Sequence, residues 1–139
     1  MRYSAEESRR LALAQRVGRL ATVSEAGGPH LVPVTFALSG ELVVIGIDEK
    51  PKSTLDLQRL RNIRRDPRVA LCWDQYDEDW SRLWWVRADG VAAVIEDGWP
   101  WERAWQALND KYEQYRHTAH PGPIIVVEVT KWSGWAAHG

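Results

Sequence analysis

Cysteine is almost absent from this chain. Cys72 stands alone in 139 residues, so no disulfide framework can form within one copy, and the composition suits a reducing compartment. Long apolar runs are missing too. Nothing approaches the ~20 apolar residues that a membrane helix needs, and residues 1–7, Met-Arg-Tyr-Ser-Ala-Glu-Glu, lack the apolar centre of a secretory signal. The expectation is a soluble, cytoplasmic protein with no membrane partner. Charge of one sign is not in excess. Eighteen Lys and Arg stand against nineteen Asp and Glu, for a net charge of −1, which argues against a nonspecific nucleic-acid binder. Gly-rich dinucleotide fingerprints, Walker loops and nucleophile elbows do not occur. The four histidines, His30, His117, His120 and His138, have no metal-helix spacing, so no metal site is expected.

Tryptophan, by contrast, is abundant: nine residues of 139. An indole carries large burial and interface energy, and its flat face also stacks on aromatic ligands. Core, dimer contact and pocket wall are all open to it. One domain is expected over 1–139, long enough to bury roughly two-thirds of its unfolded surface without metal or disulfide.

Periodicity orders the elements. Ser4-Ala-Glu-Glu7 opens a helix to about Arg16 with a capping-box pattern. Strands are expected at 18–24 and 29–38, joined by the Glu25-Ala-Gly-Gly28 turn. In the second of these, Val32, Val34 and Phe36 share one face, and Leu31, Pro33 and Thr35 the other. Pro33 cannot donate to a ladder, which places it at an edge or bulge. A third strand covers 41–47. Ser53 or Thr54 caps a second helix, whose inward stripe is Leu57, Leu60 and Ile63 and whose end is Asp66-Pro67. Strands at about 68–74 and 82–96 flank an acidic interval, 74–79, read as a solvated loop. Pro100 suits the first turn of a third helix carrying Trp101, Trp105, Leu108, Tyr112 and Tyr115 on one side. A last strand covers 124–130, with the tail 131–135 after it. Six antiparallel strands joined mostly by hairpins, with three short helices, favour a mainly β (α+β) closed barrel over a parallel sheet.

The strongest chemical signal is a cation cluster. Lys50, Lys52, Arg59, Arg61, Arg64, Arg65 and Arg68 face only Asp56 and Asp66 within residues 50–68. Clustered cations beside a helix start are suited to phosphate, because free N–H groups add to the charge. The same run would also serve as a solvated helix face. No acid–base motif accompanies it, which is compatible with hydride transfer, where a cofactor carries the reactivity.

Strand, basic loop, short helix, Asn62-Ile-Arg-Arg-Asp66-Pro67-Arg68, strand, then Leu83-Trp-Trp-Val-Arg-Ala-Asp-Gly90 resembles the core of the pyridoxamine-phosphate-oxidase-like split-barrel family. Within it, the order is similar to the small proteins that use the deazaflavin coenzyme F420. The resemblance implies that Lys50, Lys52 and Arg59 hold the cofactor phosphate and acidic tail, and that Ser53, Thr54 and Asn62 position it. It implies that Pro33, Val34, Thr35 and Trp85 wall the ring system, and that Trp135 closes the pocket. Trp85 stands where the vitamin-B6 oxidases carry a flavin-contacting glutamine, and their C-terminal substrate-phosphate residues have no clear counterpart here. The implied protein is a homodimer that passes hydride between reduced F420 and a small-molecule substrate. FMN is the alternative cofactor in the same fold. A single-stranded nucleic-acid-binding barrel, built from a basic groove and exposed aromatics, is the reading from another class; the slightly acidic total counts against it.

Overall fold

The computed structural model describes residues 1–47, 57–117 and 122–138. Seven strands form one antiparallel sheet in the order β2-β1-β5-β6-β7-β4-β3. They are β1 (Gly18–Val23), β2 (Pro29–Val34), β3 (Phe36–Ser39), β4 (Leu42–Ile45), β5 (Arg68–Gln75), β6 (Trp84–Ile95) and β7 (Ile124–Ala136). Three helices accompany them: α1 (Ala5–Leu13), α2 (Gln58–Arg65) and α3 (Gly98–Lys111).

The strand count exceeds the six expected because 29–38 is not one strand. It breaks at Thr35 into β2 and β3, and these lie at opposite edges of the sheet. Only one residue separates Val34 from Phe36, so their Cα atoms are at most about 7 Å apart. The two edges therefore meet at Thr35, and the sheet is curled into a split barrel. Pro33 sits on an edge strand, as its missing N–H requires. The residues expected to form a tail instead extend β7 to Ala136, paired with β6 from Trp84↔Ala136 through Asp89↔Lys131.

The alternating pattern sorts the side chains. Leu20, Phe36, Val43, Ile45, Leu71, Trp73, Val86, Ala88, Ile125 and Val127 fill the interior. Trp73 is fully buried, 5.1 Å from Phe36 and 5.8 Å from Trp132 between ring centres. Leu60 and Ile63 bring α2 into this core. Its start differs from the expectation. The helix begins at Gln58 after Leu57, which has no capping side chain, rather than at Ser53 or Thr54, which lie outside the described residues. α1 does begin on the Ser4 cap, whose hydroxyl accepts from Glu7 N at 3.1 Å, but it ends at Leu13.

A second cluster lies outside the barrel, where α3 covers β3, β4 and β7. Leu108, Tyr112, Tyr115, Ala104, Ala37, Val44 and Ile124 are buried there, with Trp101 and Trp105 packed against them. The rings of Trp101 and Trp105 stack at 5.9 Å, and Tyr115 meets Trp105 and Tyr112 edge-on. The third helix, expected to carry all of these aromatics, ends at Lys111, so Tyr112 and Tyr115 pack from the turn after it.

Candidate functional site

Among the described residues no helix lies over the opposite surface of the sheet. Outward-facing positions of β2, β1, β5, β6 and β7 align in rows by strand register. One row runs Pro33, Arg19, Cys72, Arg87, Ser133. The next along the strands contains Asp74, Trp85 and Trp135. The row on the other side runs Leu31, Ala21, Ala70, Asp89, Lys131. Exposed apolar groups dot this surface: Leu31 at 65%, Val17 at 45%, Val91 at 42%, Trp85 at 39% and Trp135 at 38%.

Trp85 and Trp135 are direct cross-strand partners, so the structure brings these two predicted residues together. With Asp74, Gln75, Tyr76, Leu83 and Trp84 they line a shallow cavity of about 190 Å³. The chain start fixes the strand that carries Trp135: Tyr3 N donates to Gly134 O at 3.0 Å, and Ala136 N donates to Met1 O at 2.8 Å. Tyr76 and Trp80, both strongly exposed, extend the aromatic surface. Sequence reasoning missed them, because the acidic interval was read as solvent-facing loop. The usable signal was two aromatics interleaved with the acids of 74–80.

Pro33, Val34 and Thr35 occupy the far side of the same surface. Pro33 faces outward, Val34 points into the core at 5% exposure, and Thr35 marks the seam. Val34 can therefore offer a ring only its backbone. The Thr35 hydroxyl bonds with the Tyr115 hydroxyl at 2.6 Å. That contact depends on Gly46, since a Cβ there would lie 2.1 Å from the Tyr115 oxygen. Gly46 N donates to Thr35 O at 3.2 Å, which ties the seam to the end of β4. Tyr112 braces it from beneath, accepting from Phe36 N at 3.2 Å and donating to Arg16 O at 2.7 Å. Burial raises the Tyr112 pKa above its ordinary value, so the hydroxyl keeps its proton.

Distance separates these two halves. Pro33 on β2 and Trp85 on β6 lie three inter-strand spacings apart, about 14 Å. Two walls that sandwich a flat ring stand about 7 Å apart, twice a van der Waals contact. A single copy does not bring them onto opposite sides of one ring.

The cation cluster is only partly in view. Lys50, Lys52, Ser53 and Thr54 lie outside the described residues. Arg59 is half-buried in the first turn of α2. Asn62 is 2% exposed, and its amide donates to the buried Thr22 hydroxyl at 3.0 Å. This bond fixes α2 against β1, so Asn62 orients the helix that carries Arg59. The later arginines have intramolecular partners. Arg64 pairs with Glu96 at 3.0 Å, Arg65 donates to Val23 O at 2.6 Å, and Arg68 pairs with Asp66 at 2.6 Å. The Arg68 guanidinium holds the Asp66 carboxyl down to about 2. Arg64, expected to lengthen the grip, is instead engaged by a residue at the end of β6.

The fold places the chain in the split-barrel class. Residues 4–136 match the pyridoxamine 5'-phosphate oxidase family, and the chain belongs to it. No curated protein sequence gives a match. A conserved hypothetical protein of Mycobacterium tuberculosis superposes with a TM-score of 0.80 at 21% identity, over 97% of this chain and 86% of that one. An FAD-binding protein of Mesorhizobium loti gives 0.72 at 23% identity, over 96% and 95%. A heme-binding protein of Mycobacterium smegmatis gives 0.73 at 24% identity, over 99% of this chain but 60% of that one. At these identities the likeness shows the fold. Among the described residues no helix is long and apolar enough to cross a membrane.

Proposed function

We propose that this chain is an F420-dependent oxidoreductase, working as a homodimer and passing hydride between reduced deazaflavin and a small organic acceptor. The observation that carries the reading is the split site. Both expected wall segments lie on one sheet surface, over which no described helix packs and where exposed apolar groups stand among charged ones, yet about 14 Å apart. Two copies related by a two-fold axis, packed by this surface, set Pro33 and Thr35 of one against Trp85 and Trp135 of the other. The axis then falls over β1 and β5, where Ala21, Ala70 and Cys72 are small enough for close approach.

The residues fit such a cofactor. Two exposed indoles supply flat stacking area. Among the described residues no side chain caps the start of α2, the end at which a helix presents N–H groups to a phosphate, with Arg59 beside it. Lys50 and Lys52 complete the grip on phosphate and acidic tail, with Ser53 and Thr54 adding hydroxyl donors. The bound cofactor would supply the hydride chemistry. The protein's part is to orient the ring, keep water from it and hold the acceptor close.

F420 is preferred over FMN on two grounds. Its tail carries carboxylates beyond the phosphate, which a run of cations can meet. Trp85 also presents an apolar face where the B6 oxidases present a glutamine. Engagement of Arg64 by Glu96 shortens that run. FMN remains the second reading, supported by the FAD-binding name of a structural neighbour.

Titration by intrinsic Trp fluorescence tests the choice. F420 is expected to bind about tenfold tighter than FMN at low salt, a gap of about 1.4 kcal/mol, which narrows as salt screens the rim pairs. Equal affinities at low salt would overturn the F420 assignment and leave the FMN reading standing.

A further inference from the structure

On the other side of the molecule, between the end of α1, the strand β3 and the helix α3, lies a cavity of about 660 Å³. Three cations line it: Arg16, Arg103 and Lys111. Asp110 is its one carboxylate, and Gln106 Nε2 already donates to it at 2.8 Å. Among the described residues each cation rests on an aromatic ring and forms no ion pair. The Arg16 guanidinium lies 4.6 Å from the Tyr112 ring centre, that of Arg103 5.6 Å from Trp99, and Lys111 Nζ 3.6 Å from Phe36.

Lys111 is the least satisfied of the three. Its Nζ is screened from solvent and has no hydrogen-bond partner among the described residues. An ammonium offers three donors, and leaving them unmet in a dry place is costly. Burial, with Arg16 as a like charge nearby, pulls its pKa down to about 8. Such a group calls for an explanation, and an anion in the cleft would provide one.

The cleft does not end at the cations. A second cavity of about 270 Å³ adjoins it, sharing Ser39 and Arg103. Its lining is apolar: Leu42, Val44, Pro100, Ala104, Val126 and the exposed Trp99. A cationic chamber thus opens beside a greasy slot, with Arg103 at the junction. Inorganic phosphate would use only the first part, and a plain hydrocarbon only the second. We infer that Arg16, Arg103 and Lys111, with the apolar slot at Trp99, form a second binding site that takes an amphipathic organic carboxylate. The carboxylate meets the three cations, and the apolar body lies along Trp99, Pro100 and Val126. The site shares no residue with the Trp85–Trp135 cavity, so it is a separate place for an acceptor or a regulatory ligand to bind.

Calorimetry with decanoate, decanol and inorganic phosphate tests this on the full chain. Decanoate is expected to bind, with decanol and phosphate each weaker by about tenfold or more, since each lacks half of the recognised chemistry. The variants Lys111→Met and Arg103→Gln should each weaken decanoate about tenfold. Arg10→Gln, an α1 cation outside the cleft, should not change it. The decanoate-induced change in fluorescence should be lost in Trp99→Leu. Folding is checked by thermal melts, and neither charge variant removes a hydrogen bond seen in the structure. Absence of decanoate binding, equal binding of decanol or phosphate, or unchanged affinity in the Lys111→Met/Arg103→Gln double variant would each overturn the proposal.

Discussion

Two outer surfaces of one sheet carry similar aromatic weight and meet different fates. Over β3, β4 and β7, α3 and the turn that follows it lay Trp101, Trp105, Tyr112 and Tyr115 onto Ala37, Val44 and Ile124, and the tyrosine hydroxyls find partners at Thr35, Phe36 and Arg16. Over β2, β1, β5 and β6 no described helix is laid, and Trp85, Trp135, Leu31 and Val91 stay exposed. The first surface is finished within the chain. The second is accessible, mixes exposed apolar groups with Arg19, Arg87, Asp89 and Lys131, and carries on two sides the residues proposed to wall one ring. Exposed apolar surface of this kind marks a place where something binds. The same residue type thus serves stability on one side and, in the proposed dimer, recognition on the other.

The contrast is broken most sharply by truncation on each side. Leu108 is fully buried on the sheet-facing side of α3, and Leu108→Ala should cost about 2–5 kcal/mol in urea unfolding. Trp85→Ala should leave the subunit's own stability within about 0.5 kcal/mol, as surface changes do, while weakening F420 binding. If Trp85→Ala destabilises the isolated subunit as much as Leu108→Ala does, the open surface is structural after all.

A charge at the proposed axis is the next largest test. Ala70 faces outward on β5, and near a two-fold axis it meets its own copy. Ala70→Glu then sets like charges together on a desolvated surface and should shift the dimer toward monomer by about a hundredfold or more. Light scattering across a dilution series reads this directly. A wild-type monomer at micromolar concentration would contradict the dimer itself.

The covered side also carries the smallest and most particular signature. Lys111 gives up its proton at about 8 in the folded chain against 10.5 ordinarily. Between those values the unfolded chain holds more protons, so stability rises with pH through that window. Lys111→Met should raise stability at pH 7 and flatten the rise. A wild-type stability curve that falls between pH 8 and 10 would show that the amine is not desolvated.

Legibility of the sequence followed the range of the interaction. Alternation named the inner face of β2 correctly, Ser4 marked its helix, and Pro33 marked an edge, because each rests on the residue and its near neighbours. The break at Thr35 was not legible. It arises from closure of the sheet, and Gly46 and Tyr115, distant in the chain, hold it. Helix spacing showed that Trp101, Trp105 and Tyr112 share a side, but not that β3 and β4 would cover it. Spacing likewise grouped Arg64 with the cation run, while Glu96 enters only through the fold. Trp85 and Trp135 were singled out by resemblance, and their cross-strand pairing follows from the β6–β7 register.

Co-assembly of two defective copies tests the intersubunit site most directly. One copy carries Lys52→Ala with Arg59→Ala, the other Trp85→Ala with Trp135→Ala, and each homodimer alone should bind F420 at least about tenfold more weakly than wild type. With the cation grip, Pro33 and Thr35 supplied by one copy and Trp85 and Trp135 by the other, one site of the mixed dimer receives both defects and the other receives none. Near wild-type affinity at one site per mixed dimer is the predicted result. A mixed dimer with no restored site would contradict a pocket shared between two copies.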